Sequence, residues 1–226
     1  MDMFIAEDIS INKFDILSQR GLGHIKECLG LIKKNKGIDV NIHDFKNFRN
    51  DEAIKKQIRE ANTIGCFYIE SPAMRQLLKK LCCDDYITLV AASSIIRPGV
   101  AQSGMMREYI YRYHNRDKIN YIHPLFKEHL GETFGVMVFQ EDVIKIAHYF
   151  AGLTLGEADV LRRAMSGKYK NNNKFFMMKE KFLSNCKQIG HSPEMANEVW
   201  RQMESFAGYS FNKAHSASFA VESYMS

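Results

Sequence analysis

Apolar residues recur along this chain at intervals of three and four, the spacing of a single helix face. Over residues 20–35, Leu22, Ile25, Leu29 and Ile32 keep that spacing, and Lys33, Lys34 and Lys36 follow where cations suit the helix dipole. Ser71-Pro72 reads as an N-cap and first turn, with Met74, Leu77, Leu78 and Leu81 on one face. Residues 101–114 read as a helix rich in Met and Tyr. Thr154-Leu155-Gly156-Glu157 is a capping box for a helix carrying Ala158, Leu161 and Met165. Residues 174–189 form a Lys-rich amphipathic helix that Gly190 ends, and Ser192-Pro193 opens another with Val199, Met203 and Phe206 inward. Asn212 caps a last helix that runs to residue 226.

Strand signals are few. Lys13-Phe14-Asp15-Ile16-Leu17 alternates as a short strand does, and Ile64 to Ile69 and Val136 to Phe139 are two further short candidates. Loops are expected at 37–50, 97–104, 115–123 and 166–173. No linker stands out. The expectation is a mainly α fold with a few short β-strands.

Composition narrows the class. Of 226 residues 46% are hydrophobic, enough to bury a core, and only 4 are Pro and 14 Gly, which argues against a disordered or repeat protein. No apolar stretch is long enough to span a bilayer and no signal peptide opens the chain, so a soluble cytoplasmic protein without a membrane partner is expected. The five cysteines, with adjacent Cys82-Cys83, have neither a disulfide framework nor zinc-ligand spacing. A net charge of +5 fits a nucleic-acid partner without requiring one.

The candidate chemistry lies in two clusters. The segment Phe206 to Ser216 places Tyr209, Phe211, Asn212, Lys213 and His215 close together around Gly208, supplying flat faces for a base or sugar and donors for phosphate. Lys213 and His215 open the last helix, where free N–H groups and the dipole favour an anion. Upstream, Arg162-Arg163 lies within the capping-box helix. Adjacent helical residues diverge by about 100 degrees, so only one can face the core side directly and the other can reach into a cleft. Arg binds phosphate through a bidentate fork, although a solvated helix face explains the pair as well. Asp15 and Lys13 share one side of their strand, where a carboxylate can ligate Mg²⁺ and a lysine can touch phosphate. Arg97-Pro98-Gly99 holds an Arg on a turn, to meet a phosphate or to pair with an acid. Among Glu70, Glu132, Glu141, Glu157 and Asp159 no spacing demands acid–base catalysis.

The order of several segments resembles the bacterial C-family DNA polymerases, the alpha subunit of DNA polymerase III. The matching pieces are Lys13 to Leu17; Thr63 to Phe67 with Glu70-Ser71 and Met74; Arg97-Pro98-Gly99; Ser103-Gly104-Met105; Gly135-Val136-Met137 with Gln140-Glu141; Gly156 to Asp159 into Leu161 to Met165; and Phe206 to Tyr209 into Phe211 to Ser216. Ser18, Tyr68, Val100 and the extra residue in Met165-Ser166-Gly167-Lys168 depart from the family pattern. The last shifts Lys168, onto which no phosphate role is carried.

The resemblance implies a fragment of the polymerase palm and fingers, with residues 1–19 the end of the palm and 20–226 the proximal fingers. Asp15 matches a metal-binding palm carboxylate for Mg²⁺. Lys13, Arg162 and Arg163 match residues that approach the incoming triphosphate, and Tyr209, Asn212 and His215 match the nucleotide-facing fingers. Lys213 and Phe211 complete the expected nucleotide-binding set. The implied partners are a DNA primer-template, a deoxynucleoside triphosphate and other replisome subunits. The parent, a replicase or an error-prone paralogue, is expected to be a DNA-directed DNA polymerase, and this chain alone is expected to extend no primer. The competing reading is a non-catalytic helical nucleic-acid-binding module.

Overall fold

Asp44, Asp51, Ser71, Asp85 and Asn212 each stand just before a helix, and each side chain accepts a hydrogen bond from a backbone N–H of the first turn. The computed structural model describes residues 5–6, 9–11, 19–96, 104–165, 173–206 and 211–226. The chain divides into two compact units, Met1–Ile42 and His43–Ser226. The first contains α1 (Arg20–Lys36), which Gly37 ends in the left-handed conformation, its N–H donating to Lys33 O.

The second unit is built from helices: α2 (Phe45–Asn50), α3 (Glu52–Arg59), α4 (Pro72–Leu81), α5 (Tyr86–Ile95), α6 (Met105–His114), α7 (Pro124–Leu130), α8 (Gln140–Tyr149), α9 (Leu155–Met165), α10 (Asn173–Ile189), α11 (Pro193–Phe206) and α12 (Lys213–Met225), with two short 3₁₀ turns. α5 is buried along almost its whole length and packs against α12 and α4. α8 lies on α7 and α9, α9 on α10, and α10 on α11. Leu78, Leu89, Ile95, Val143, Ile146, Phe150, Leu161, Phe182 and Val199 form one continuous core through these layers.

The expected strands are corrected by this architecture: the described residues contain helices and turns but no strand. Lys13 to Leu17 lies outside the described residues. Ile64 to Ile69 is a succession of turns, because Gly65 and Tyr68 both adopt positive φ (85° and 63°), which breaks an extended run. Ile64 is 75% exposed, and Thr63 Oγ1 donates to Ile69 O at 2.7 Å to close the loop.

Val136 to Phe139 is buried, as an inner strand would be, yet has no partner strand among the described residues. Side chains satisfy its backbone instead. Thr133 Oγ1 donates to Val136 O at 2.7 Å and Ser94 Oγ to Val138 O at 2.7 Å. Asp142 Oδ2 accepts from Val138 N (2.8 Å) and Phe139 N (2.9 Å). Gly135 begins this segment at φ 77°, where an added Cβ would lie 2.7 Å from the Tyr121 ring.

Part of the loop expected at 37–50 is the helix α2, whose six residues are too few to show periodicity. α5 has no polar face, so its apolar run did not announce a helix.

Candidate functional site

α9 begins at the capping box read from sequence. Thr154 N donates to Glu157 Oε2 at 3.0 Å, and Glu157 N donates to Thr154 Oγ1 at 3.3 Å. Lys181 on α10 pairs with the same carboxylate and does most to hold it far below its ordinary range, at about 2. Ala158, Leu161, Ala164 and Met165 bury one side of α9. Asp159, Arg162 and Arg163 stand on another, at the i, i+3 and i+4 positions that meet on a helix surface.

The two guanidiniums converge on one carboxylate. Arg162 Nε and Nη2 donate to Asp159 Oδ1 at 3.0 and 2.9 Å, and Arg163 Nη2 lies 2.6 Å from Asp159 Oδ2. The adjacent arginines diverge as helical geometry requires: the Arg162 side chain is 21% exposed and that of Arg163 69%. Burial pushes the Asp159 carboxyl up, but the bonds from both arginines together outweigh it and hold the group below its usual range.

Arg162 has a further tie. Its Nη1 donates to Gln140 Oε1 at 3.2 Å, at the start of α8. The Gln140 backbone N–H donates to Phe211 O at 3.1 Å. The next residue, Glu141, accepts from Lys213 N at 3.1 Å, and Lys213 Nζ reaches Glu132 Oε2 at 2.5 Å. Asn212 caps α12 by accepting from His215 N at 2.7 Å. The first turn of α8 therefore joins the arginine helix to the start of α12.

The Phe211 ring lies 4.3 Å from the His215 imidazole, 5.7 Å from Phe219 and 6.4 Å from Tyr68, centroid to centroid. Phe219 in turn contacts His215 at 4.2 Å and Tyr68 at 4.9 Å. An aromatic cluster thus flanks a surface of paired charges.

Of the residues singled out from sequence, Arg162, Arg163, Phe211, Asn212, Lys213 and His215 belong to this connected surface. Lys13, Asp15 and Tyr209 lie outside the described residues, as do Arg97 and Lys168. The helix start expected to offer free N–H groups to an anion already has one there, the Glu141 carboxylate. The described residues contain no group of three or more His, Cys, Asp or Glu side chains able to hold a metal ion. Mg²⁺ takes one or two protein carboxylates together with water and phosphate oxygens, and the one candidate carboxylate, Asp15, lies outside the described residues.

Sequence reasoning missed Gln140 and Asp159 as parts of the surface. Asp159 had a local signal, its i+3 and i+4 spacing to the arginines. Gln140 had none beyond its place in the Gln140-Glu141 segment, since its partners lie 22 and 71 residues away.

The fold and surface are those of a helical body in which Arg162, Arg163 and Lys213, each paired with a carboxylate, lie beside a cluster of aromatic rings. Residues 21–190 match the family described as the bacterial DNA polymerase III alpha subunit finger domain, and the chain belongs to that family. It is 37% identical over 223 residues to DNA polymerase III subunit alpha of Aquifex aeolicus (strain VF5), covering 99% of this chain and 19% of that protein. The DNA polymerase III subunit alpha of Pseudomonas aeruginosa is 39% identical over 233 residues, with 97% and 19% covered. An error-prone DNA polymerase of Vibrio vulnificus (strain YJ016) is 37% identical over 220 residues, with 97% and 21% covered. The chain spans about a fifth of the length of these relatives. No described helix is long and apolar enough to cross a membrane.

Proposed function

We infer that this chain is the fingers portion, residues 20–226, with the end of the palm, residues 1–19, of a cytoplasmic DNA-directed DNA polymerase, and that it binds the incoming deoxynucleoside triphosphate beside a primer-template. In this reading Arg162, Arg163 and Lys213 neutralise the phosphates, with Lys13 adding a further cation. Phe211, Asn212 and His215, with Tyr209, line the base and sugar side. Asp15 is one carboxylate of the parent enzyme's Mg²⁺ site. The parent joins a primer 3′-hydroxyl to the alpha-phosphate and releases pyrophosphate. Preorganised cations would stabilise the charge that develops on the phosphates.

The observation that carries this reading is the convergence on Gln140 of Arg162 from α9 and Phe211 from the start of α12. It brings the cation cluster and the aromatic cluster, far apart in sequence, into one connected surface.

The test is a titration of the 226-residue chain with dATP, followed by calorimetry, for the unaltered protein and Arg162→Ala. The expected result is saturable binding that Arg162→Ala weakens about tenfold or more, the loss of one charge-assisted contact. Equal affinities would overturn the reading. Binding only to oligonucleotide, steeply salt-dependent and indifferent to added dATP, would favour the non-catalytic nucleic-acid-binding module instead.

A further inference from the structure

Asp159 meets both arginines of the proposed triphosphate site with the chemistry a phosphate would use. It offers two anionic oxygens, one to each guanidinium, and the Arg162 fork closes on Oδ1 through Nε and Nη2. Carboxylate and phosphate are the two anions a guanidinium fork fits. The side chain of Asp159 is 30% exposed, so its pairs lie within reach of solvent and of a competing anion. The pair to the exposed Arg163 is of the weak surface kind, whereas the pair to Arg162, 21% exposed, is partly shielded from water. Arg162 would not be released by the exchange, because Nη1 stays on Gln140.

The same arrangement recurs at the neighbouring cation. Lys213 meets Glu132 through Nζ and Glu141 through its backbone N–H. Arg162, Arg163 and Lys213 are thus all paired with carboxylates of this chain.

We propose that Asp159 is a positioning residue that occupies the two guanidiniums in place of a phosphate, and that a triphosphate binds by exchanging with it. Asp159 holds the arginines extended and charge-compensated while the site is empty. It also opposes weaker anions, since a single phosphate has less charge with which to displace it. This rests on reading the arginine pair as a triphosphate site.

The experiment uses inorganic tripolyphosphate as the probe and the full chain as the protein. Affinities are measured for the unaltered chain, Asp159→Asn, Asp159→Glu, Arg162→Ala and Glu180→Gln, the last neutralising an exposed acid on α10. Asp159→Asn is expected to bind about 3- to 10-fold more tightly, in line with the worth of one exposed and one partly shielded ion pair. Asp159→Glu should stay near the unaltered value and Glu180→Gln should change little. In the unaltered chain the Arg162 Nε–H resonance should shift on adding tripolyphosphate, a readout that needs no variant to fold.

Asp159→Asn binding equally or more weakly, with Arg162→Ala still impairing the site, would overturn the exchange alone. A gain equal to that of Glu180→Gln would reduce it to net charge and overturn it too. A gain for oligonucleotide but not tripolyphosphate would also sink it. Tripolyphosphate binding that is absent, or indifferent to Arg162→Ala, would defeat the underlying site reading and this proposal with it.

Discussion

Arg162 Nη1 donates to Gln140 Oε1 at 3.2 Å across 22 residues of sequence. The same glutamine donates its backbone N–H to Phe211 O. Gln140 therefore touches both halves of the candidate site, through its side chain on one side and its main chain on the other. Its position is set from below by Asp142, which receives the Val138 and Phe139 N–H groups and fixes how the chain enters α8.

Replacing Gln140 separates these roles. Gln140→Ala removes the acceptor for Arg162 Nη1 but keeps the backbone bond to Phe211. We expect a loss of dATP affinity of about 3- to 10-fold, within the roughly 0.5–1.5 kcal/mol of an ordinary hydrogen bond, because Gln140 acts on the ligand only through Arg162. The melting temperature should change little. A large drop in melting temperature with unchanged affinity would make Gln140 a packing residue only.

Asp142 supports the segment that carries Gln140. Asp142→Ala strands two buried N–H groups, each costing about 1–3 kcal/mol. Asp142→Asn keeps an acceptor and should be milder. Burial pushes the Asp142 carboxyl up despite its two backbone bonds, which fits a position where a neutral amide is tolerated. Urea denaturation of both variants checks this ordering, and the reverse ordering would refute it.

Gly135 opens the same buried segment at φ 77°. Gly135→Ala forces an L side chain into the left-handed region, worth about 1–2 kcal/mol. The new Cβ would also sit 2.7 Å from the Tyr121 ring and 2.9 Å from Arg112 Nη1, which donates to Phe134 O. The variant should unfold at clearly lower urea concentration. By contrast Gly156→Ala in the first turn of α9 meets no neighbour and should not.

Acid should weaken the α9 end of the molecule. Glu157 titrates in the fold at about 2 against an ordinary 4.5, chiefly through Lys181 and then Thr154. A depressed carboxylate stabilises the fold above its ordinary value, and that contribution is lost as pH falls from 4.5 towards 2. Asp159, also lowered, loses its contribution in the same direction. Asp142, raised, has the opposite sign: its contribution is present below its ordinary value and declines as pH rises. Melting temperature recorded from pH 6 to pH 2 should fall, and fall less in Glu157→Gln. An equal fall in that variant would remove the pair from the account.

Local signals were legible where a cap stands before a clear apolar periodicity, and the caps Asp44, Asp51 and Asp85, which precede short or wholly apolar helices, were not read. Ser71, Asn212 and the Thr154/Glu157 box are read from residues three apart, and each does in the fold what that spacing dictates. The divergence of Arg162 and Arg163 follows from helix geometry in the same way. Val136 to Phe139 was not legible as an irregular segment. Its apolar run matches a buried strand, and only Ser94, Thr133 and Asp142, from the elements around it, supply the hydrogen bonds that replace a ladder.

The order of residues by itself determined the starts of the helices that open at Ser71, Thr154, Ser192 and Asn212, the buried faces of the amphipathic helices and the family to which the chain belongs. These depend on contacts within a few residues or on motif order, both of which a linear string contains. The tertiary structure alone decided that α5 is buried from Thr88 to Ile95, that no described segment pairs as a strand, and that Gln140 joins Arg162 to Phe211. Those outcomes depend on which donors and acceptors meet after packing, when a buried polar group takes whatever partner lies nearest in space.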